Sequence, residues 1–138
     1  MQITQKYLDE LTYQIIGCAI EVHKHPGTGL LESVYQKRFN REISLRNLKN
    51  QNEFWVPVEY KGLLPEADLR LDVLVEDLII VELKPMEGIL PVHEAQVLTY
   101  MKLLKKPKGI LINFNCTNIF KEGQKIFVNE YYALLPEE

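Results

Sequence analysis

Over residues 4–23 apolar side chains return at alternating steps of three and four, at Leu8, Leu11, Ile15, Ala19 and Val22. That spacing predicts an amphipathic helix. Pro26 and Gly27 break the pattern after His25, Thr28 is suited to cap a new N-terminus, and a second helix is expected from residue 30 into 44–50. Strict alternation follows over 54–60, where Phe54, Val56, Val58 and Tyr60 point one way, so a strand is expected, with Pro57 marking an edge or bulge. Beyond a loop around 65–68, two β-rich segments, 69–75 and 79–84, flank Glu76-Asp77-Leu78 and read as a hairpin. Helical spacing resumes over 92–105 and stops before Pro107 and Gly109. The run Ile110-Leu111-Ile112 reads as a buried strand, and 125–129 as a last short one. Helix, helix, three strands, helix, two strands implies an α/β (α+β) fold with a central mixed sheet flanked by helices.

Composition narrows this picture. With 138 residues, 46% of them apolar, the chain suits one compact domain over 1–138. A polar N-terminal stretch and the lack of a long apolar run lead to the expectation of a soluble, cytoplasmic protein with no membrane contact. The net charge of −3 gives no global electrostatic footprint for nucleic acid, so a polyanion must be met by local cations or bound metal. Cys18 and Cys116 have no zinc or redox spacing and are expected to be two ordinary buried thiols.

The hairpin carries the first chemical signal. A turn centred on Asp77 sets Asp72 opposite Glu82 and Arg70 opposite Lys84. One face then holds Leu71, Val73, Val75, Ile79, Val81 and Leu83. The other holds Leu74 and Ile80, then Asp72, Glu82, Arg70 and Lys84 at the open end. Directly opposed side chains have Cβ atoms roughly 4.5–5.5 Å apart, where like charges are destabilising. A hard divalent cation would turn that repulsion into a ligand pair. Lys84 on the same face could orient or deprotonate a water, or stabilise charge on a phosphate. A solvated face with cross-strand ion pairs is the plain alternative.

Glu32 heads a helical row continued by Tyr35, Phe39 and Ile43, while Gln96 and Tyr100 lie one helical turn apart with His93 nearby. Gly29-Leu30-Leu31-Glu32-Ser33-Val34-Tyr35 spells G-x-x-E-x-x-Y. Together with Arg70-Leu71-Asp72, Val81-Glu82-Leu83-Lys84, Pro91-Val92-His93-Glu94-Ala95-Gln96 and Leu111-Ile112-Asn113-Phe114, the chain resembles the GxxExxY proteins of the PD-(D/E)XK nuclease superfamily. The resemblance implies that superfamily's restriction-endonuclease-like core. It further implies that Asp72 and Glu82 hold a metal, that Lys84 is the catalytic lysine, and that Glu32 is the acid of the first helix. Gln96 to Tyr100 resembles the Q-x-x-x-Y motif of RecB-like exonucleases, which positions the site and the nucleic acid. The approach to Asp72, Leu64-Pro65-Glu66-Ala67-Asp68, lacks the glycine expected there, and Pro85 stiffens the strand end after Lys84.

The expectation is therefore a Mg²⁺- or Mn²⁺-dependent nuclease, acting on DNA in preference to RNA. Glu32, Asp72 and Glu82 are the metal ligands, Lys84 is the catalytic cation, and Gln96, Tyr100, Arg70 and Tyr35 position the substrate. Lys102, Lys105, Lys106 and Lys108 offer a basic strip near the site, with an ordinary solvated helix end as the alternative. His23 is either a further ligand or a packed helix-end side chain. The rival function is a catalytically silent module that binds nucleic acid or a protein partner, and a homodimer is left open.

Overall fold

The first periodic segment forms α1 (Gln5–His23), with Leu8, Leu11, Ile15, Ala19 and Val22 buried along one side. Thr4 starts it, its Oγ1 accepting the Tyr7 N–H at 3.0 Å, which satisfies one of the donors a helix start leaves open. The computed structural model describes residues 2–25, 29–56, 61–62, 69–85 and 91–138. Then come α2 (Glu32–Leu45), β1 (Asn50–Val56), β2 (Leu69–Val75), β3 (Ile79–Lys84), α3 (Pro91–Leu104), β4 (Lys108–Asn113), α4 (Ile119–Glu122), β5 (Gln124–Val128) and α5 (Glu130–Ala133). The expected Thr28 cap, Pro57 and the second half of the 54–60 strand lie outside the described residues. At the start of α2 the capping position is Leu31, which offers no side-chain hydrogen bond.

The strands form one five-stranded sheet in the order β1-β2-β3-β4-β5. β1, β2 and β3 are a meander of antiparallel neighbours. β4 runs parallel to β3, which requires a crossover, and α3 supplies it. β5 returns antiparallel to β4. The mixed sheet flanked by helices is the architecture that the hydrophobic pattern implies.

Each face of the sheet has its own core. Val73, Val75, Ile79, Val81, Leu83, Ile110 and Ile112 pack under α1 and α2. Leu74, Ile80 and Leu111 pack under Val97, Tyr100 and Met101 of α3. Leu71 was expected with Val73 and Val75, yet it belongs to the α3 cluster. Alternation along β2 is interrupted at Asp72, beside Glu53, which sits within β1 at a left-handed φ of 50°. Cys116 is also only partly buried, its Sγ donating to the Asn113 carbonyl at 3.3 Å, whereas Cys18 is fully buried.

Gly109 lets α3 lie close on β4. A Cβ there would stand 2.6 Å from Val97 Cγ1 and 2.8 Å from Met101 Sδ. Gly109→Val is therefore expected to destabilise by about 1–3 kcal/mol through overpacking. Thermal unfolding should show a fall of several degrees, and an unchanged midpoint would mean that α3 is not held at this distance.

Candidate functional site

The hairpin turn is tight. Glu76 and Asp77 adopt φ of 52° and 57°, and the Leu78 N–H closes it on the Val75 carbonyl at 3.0 Å. Backbone pairing then proceeds through Val75↔Ile79, Leu74↔Ile80 and Val73↔Val81, the register expected from a centre at Asp77. Beyond Val73 side chains take over. The Asp72 N–H donates to Glu82 Oε1 at 3.1 Å, and the Leu83 N–H donates to Asp72 Oδ2 at 2.9 Å. Each carboxylate thus accepts from the opposite strand, and both are buried, Asp72 at 6% and Glu82 at 2% exposure.

Lys84 joins them from two residues along β3. Its Nζ lies 3.9 Å from Glu82 Oε2 and 3.4 Å from Glu32 Oε1 at the start of α2. Its backbone is fixed as well, the carbonyl accepting the Phe114 N–H at 2.9 Å. Phe114 in turn stacks on Tyr35 of α2, with ring centroids 4.3 Å apart and planes 1° from parallel. Tyr35 Oη accepts the Leu30 N–H at 3.3 Å, tying the approach to Glu32 to the same stack.

Burial dominates the electrostatics of Glu82. It pushes the Glu82 carboxyl up to about 9, the negative charge of Asp72 adds to the rise, and hydrogen bonding to the Asp72 backbone and the charge of Lys84 only partly offset it. For Lys84 burial works against the ammonium, but Asp72, Glu32 and Glu82 outweigh it and hold the group above its ordinary value. Tyr100 is likewise raised, first by burial and then by Glu82 and Asp72.

The expected residues do not all meet. Asp72, Glu82, Lys84 and Glu32 come together, but Glu32 makes its contact with Lys84. Among the described residues no group of three or more His, Cys, Asp or Glu side chains stands ready to hold a metal ion. Gln96 and Tyr100 are adjacent, Gln96 Nε2 donating to Tyr100 Oη at 3.0 Å. Tyr100 Oη donates to the Arg70 carbonyl at 3.2 Å, so the pair braces β2 two residues before Asp72. Arg70 turns its guanidinium away to Glu53 (3.6 Å) and over the Trp55 ring (5.6 Å). Tyr35 is fully buried and acts through packing. His23 Nε2 is 2.8 Å from the Cys116 carbonyl, the packed role rather than a ligand's.

The lysine strip is not beside the acids. Lys108 is paired in register with Ile79 at the turn end of β3, whereas Lys84 pairs with Asn113 at the other end. Lys108 is buried against Asp9 at 2.9 Å, and Lys106 meets Asp77 of the turn at 3.0 Å. Closeness in sequence to α3 suggested a shared surface, but the parallel strand carries these residues away. Sequence reasoning in turn missed Gln36, which is 9% exposed and whose Nε2 donates to the Asp72 carbonyl at 3.1 Å. Its position four residues after Glu32 was the available signal.

Two buried carboxylates suit Mg²⁺ or Mn²⁺ better than they suit a softer metal. Such ions take one or two carboxylates and complete their shell with water and substrate phosphate. Burial lifts Glu82 most, and the negative charge of Asp72 that adds to it is also what a cation would relieve. No helix among the described residues is long and apolar enough to cross a membrane. No curated protein and no solved structure matches the chain. The profile of the PD-(D/E)XK nuclease superfamily matches residues 9–126, the segment holding both acids, the lysine and Glu32, and by that match the chain belongs to the PD-(D/E)XK nuclease superfamily.

Proposed function

We propose that the protein hydrolyses phosphodiester bonds of nucleic acid, DNA in preference to RNA, in a divalent-metal-dependent reaction. The reading rests on the mutual burial of Asp72 and Glu82, each carboxylate hydrogen-bonded to the other's strand, with the Lys84 ammonium beside them. Gly29, Glu32 and Tyr35 further support a place in the GxxExxY branch of the superfamily.

Asp72 and Glu82 are the residues that would hold Mg²⁺ or Mn²⁺. When bound, such an ion polarises the phosphate and acidifies a water ligand. The backbone N–H groups of Asp72 and Leu83 keep one oxygen of each acid in place. Lys84, held protonated by its neighbours, serves as a fixed cation for charge growing on the phosphate rather than as a base. Glu32 aims that cation from α2, and Gln36 with the Gln96–Tyr100 pair steadies the strand carrying Asp72. Exposed Lys84 would be mobile; pinned between acids, it needs little reorganisation as charge develops.

Calorimetric titration with Mn²⁺ tests this. Because Glu82 holds a proton at neutral pH, binding should release about one proton, and affinity should rise about tenfold per pH unit up to about 9. The same protein should cleave single- or double-stranded DNA only with metal added. Absence of Mn²⁺ binding by the wild type would end this reading. Metal binding without cleavage of DNA or RNA would favour the silent binding module.

A further inference from the structure

Polar side chains of α2 and β1 face each other across a groove. Ser33 stands three and four residues before Gln36 and Lys37, and Asn40 four and three residues after them, so the four share a face of α2. With Asn52 and Glu53 of β1 they line a groove of about 180 Å³ in which every lining residue is polar. A helix laid on a strand ordinarily buries an apolar stripe. This groove presents a row of amides instead.

Two of the groove's lining residues are tied to the strand that carries Asp72. Gln36, one of its lining residues, donates to the Asp72 carbonyl at 3.1 Å, and Asn52, another, is paired in register with Val73, the neighbour of Asp72. The one acid in the lining, Glu53, faces Arg70 at 3.6 Å, which offsets its charge. Asn40 Oδ1 is buried and has no hydrogen-bond partner among the described residues. An acceptor left open at a groove wall is met by water or by the donor of a ligand.

We infer that this groove receives an unpaired nucleotide of the strand whose phosphodiester lies at Asp72 and Glu82. The inference rests on the hydrolytic reading above and adds where the substrate strand runs. Amides offer both donors and acceptors and so match the mixed edge of a base, while Lys37 at the rim supplies the cation for its phosphate. A groove of about 180 Å³ has room for one base and not for a base pair. The protein then prefers single-stranded or frayed nucleic acid, and an amide lining favours some bases over others.

Fluorescence anisotropy tests the assignment, using labelled phosphorothioate DNA, single-stranded and duplex, with the full chain in Mn²⁺ and again in EDTA. Wild type should bind the single strand more tightly than the duplex. Lys37→Ala should weaken single-strand binding and reduce the slope of log affinity against log salt by about 0.7. Asn40→Ala and Asn52→Ala should each weaken it about fivefold, the loss of one hydrogen bond. Mn²⁺ affinity, measured by calorimetry, should stay at the wild-type value in all three, which also shows that they are folded. Wild-type affinities and salt slopes in these variants, or tighter binding of the duplex, would overturn the groove while leaving metal-dependent hydrolysis intact. A wild type that binds no Mn²⁺ would sink the hydrolytic reading alone, since the EDTA arm still reports on the groove.

Discussion

Lys84→Ala is expected to lower the rate of cleavage by about 10²–10³-fold, the usual loss when one preorganised charge-stabilising donor is removed, while Mn²⁺ remains bound. The cation lies 3.9 Å from Glu82 and 3.4 Å from Glu32, so removing it leaves the pocket more negative and no less attractive to a divalent ion. Asp72→Asn should fail differently. Its amide oxygen can still accept the Leu83 N–H that Asp72 Oδ2 accepts at 2.9 Å, so the fold survives. One ligand charge is lost, however, and metal affinity and cleavage fall together. Comparing the two variants by calorimetry and by a cleavage assay separates the roles. A Lys84→Ala protein that cleaves at the wild-type rate would remove the lysine from the chemistry.

The second large effect concerns the metal-free protein. Glu82 is lifted to about 9 in the folded state, chiefly by burial and then by Asp72, from an ordinary value of 4.5. Between those values the native state keeps a proton that the unfolded chain releases. Stability is therefore fully present below about pH 4.5 and declines as pH rises toward about 9, by up to roughly 1 kcal/mol per pH unit. Glu82→Gln copies the protonated form, keeps an oxygen for the Asp72 N–H, and should flatten the profile over this window. Urea unfolding in EDTA at a series of pH values measures both proteins. Parallel profiles would show that Glu82 does not carry the proton. Adding Mn²⁺ to the wild type should recover the lost stability at high pH, because a ligand that binds only the folded state stabilises it.

The hairpin was legible in the sequence because its two arms alternate cleanly and its centre follows from where the apolar run stops. Register alone brought Asp72 to Glu82. What alternation could not supply was the reversal at Leu71, since it depends on a left-handed residue, Glu53, in the neighbouring strand. The short helices α4 and α5 were missed for a related reason. Four residues carry no periodicity, and both rest on caps, with Asn118 accepting from Lys121 N–H and Asn129 from Tyr131 and Tyr132 N–H. Gln36 escaped notice because its place one turn after Glu32 shows only that the two share a face of α2, and the backbone carbonyl it holds lies on another element. The lysines after α3 misled because β4 is parallel to β3, and that direction emerges only once the crossover is placed.

The Tyr35–Phe114 stack joins what the chain order keeps far apart. Phe114 holds the carbonyl of Lys84, and Tyr35 holds the backbone just ahead of Glu32. Both partners of the ion pair are thus bolted to one rigid plate. Lifting α2 off the sheet would part the two rings and strip the cation of its counter-ion in a single event, while Lys84 itself stays on β3. Partial opening would therefore leave both acids and the lysine on their strands but set the ammonium loose.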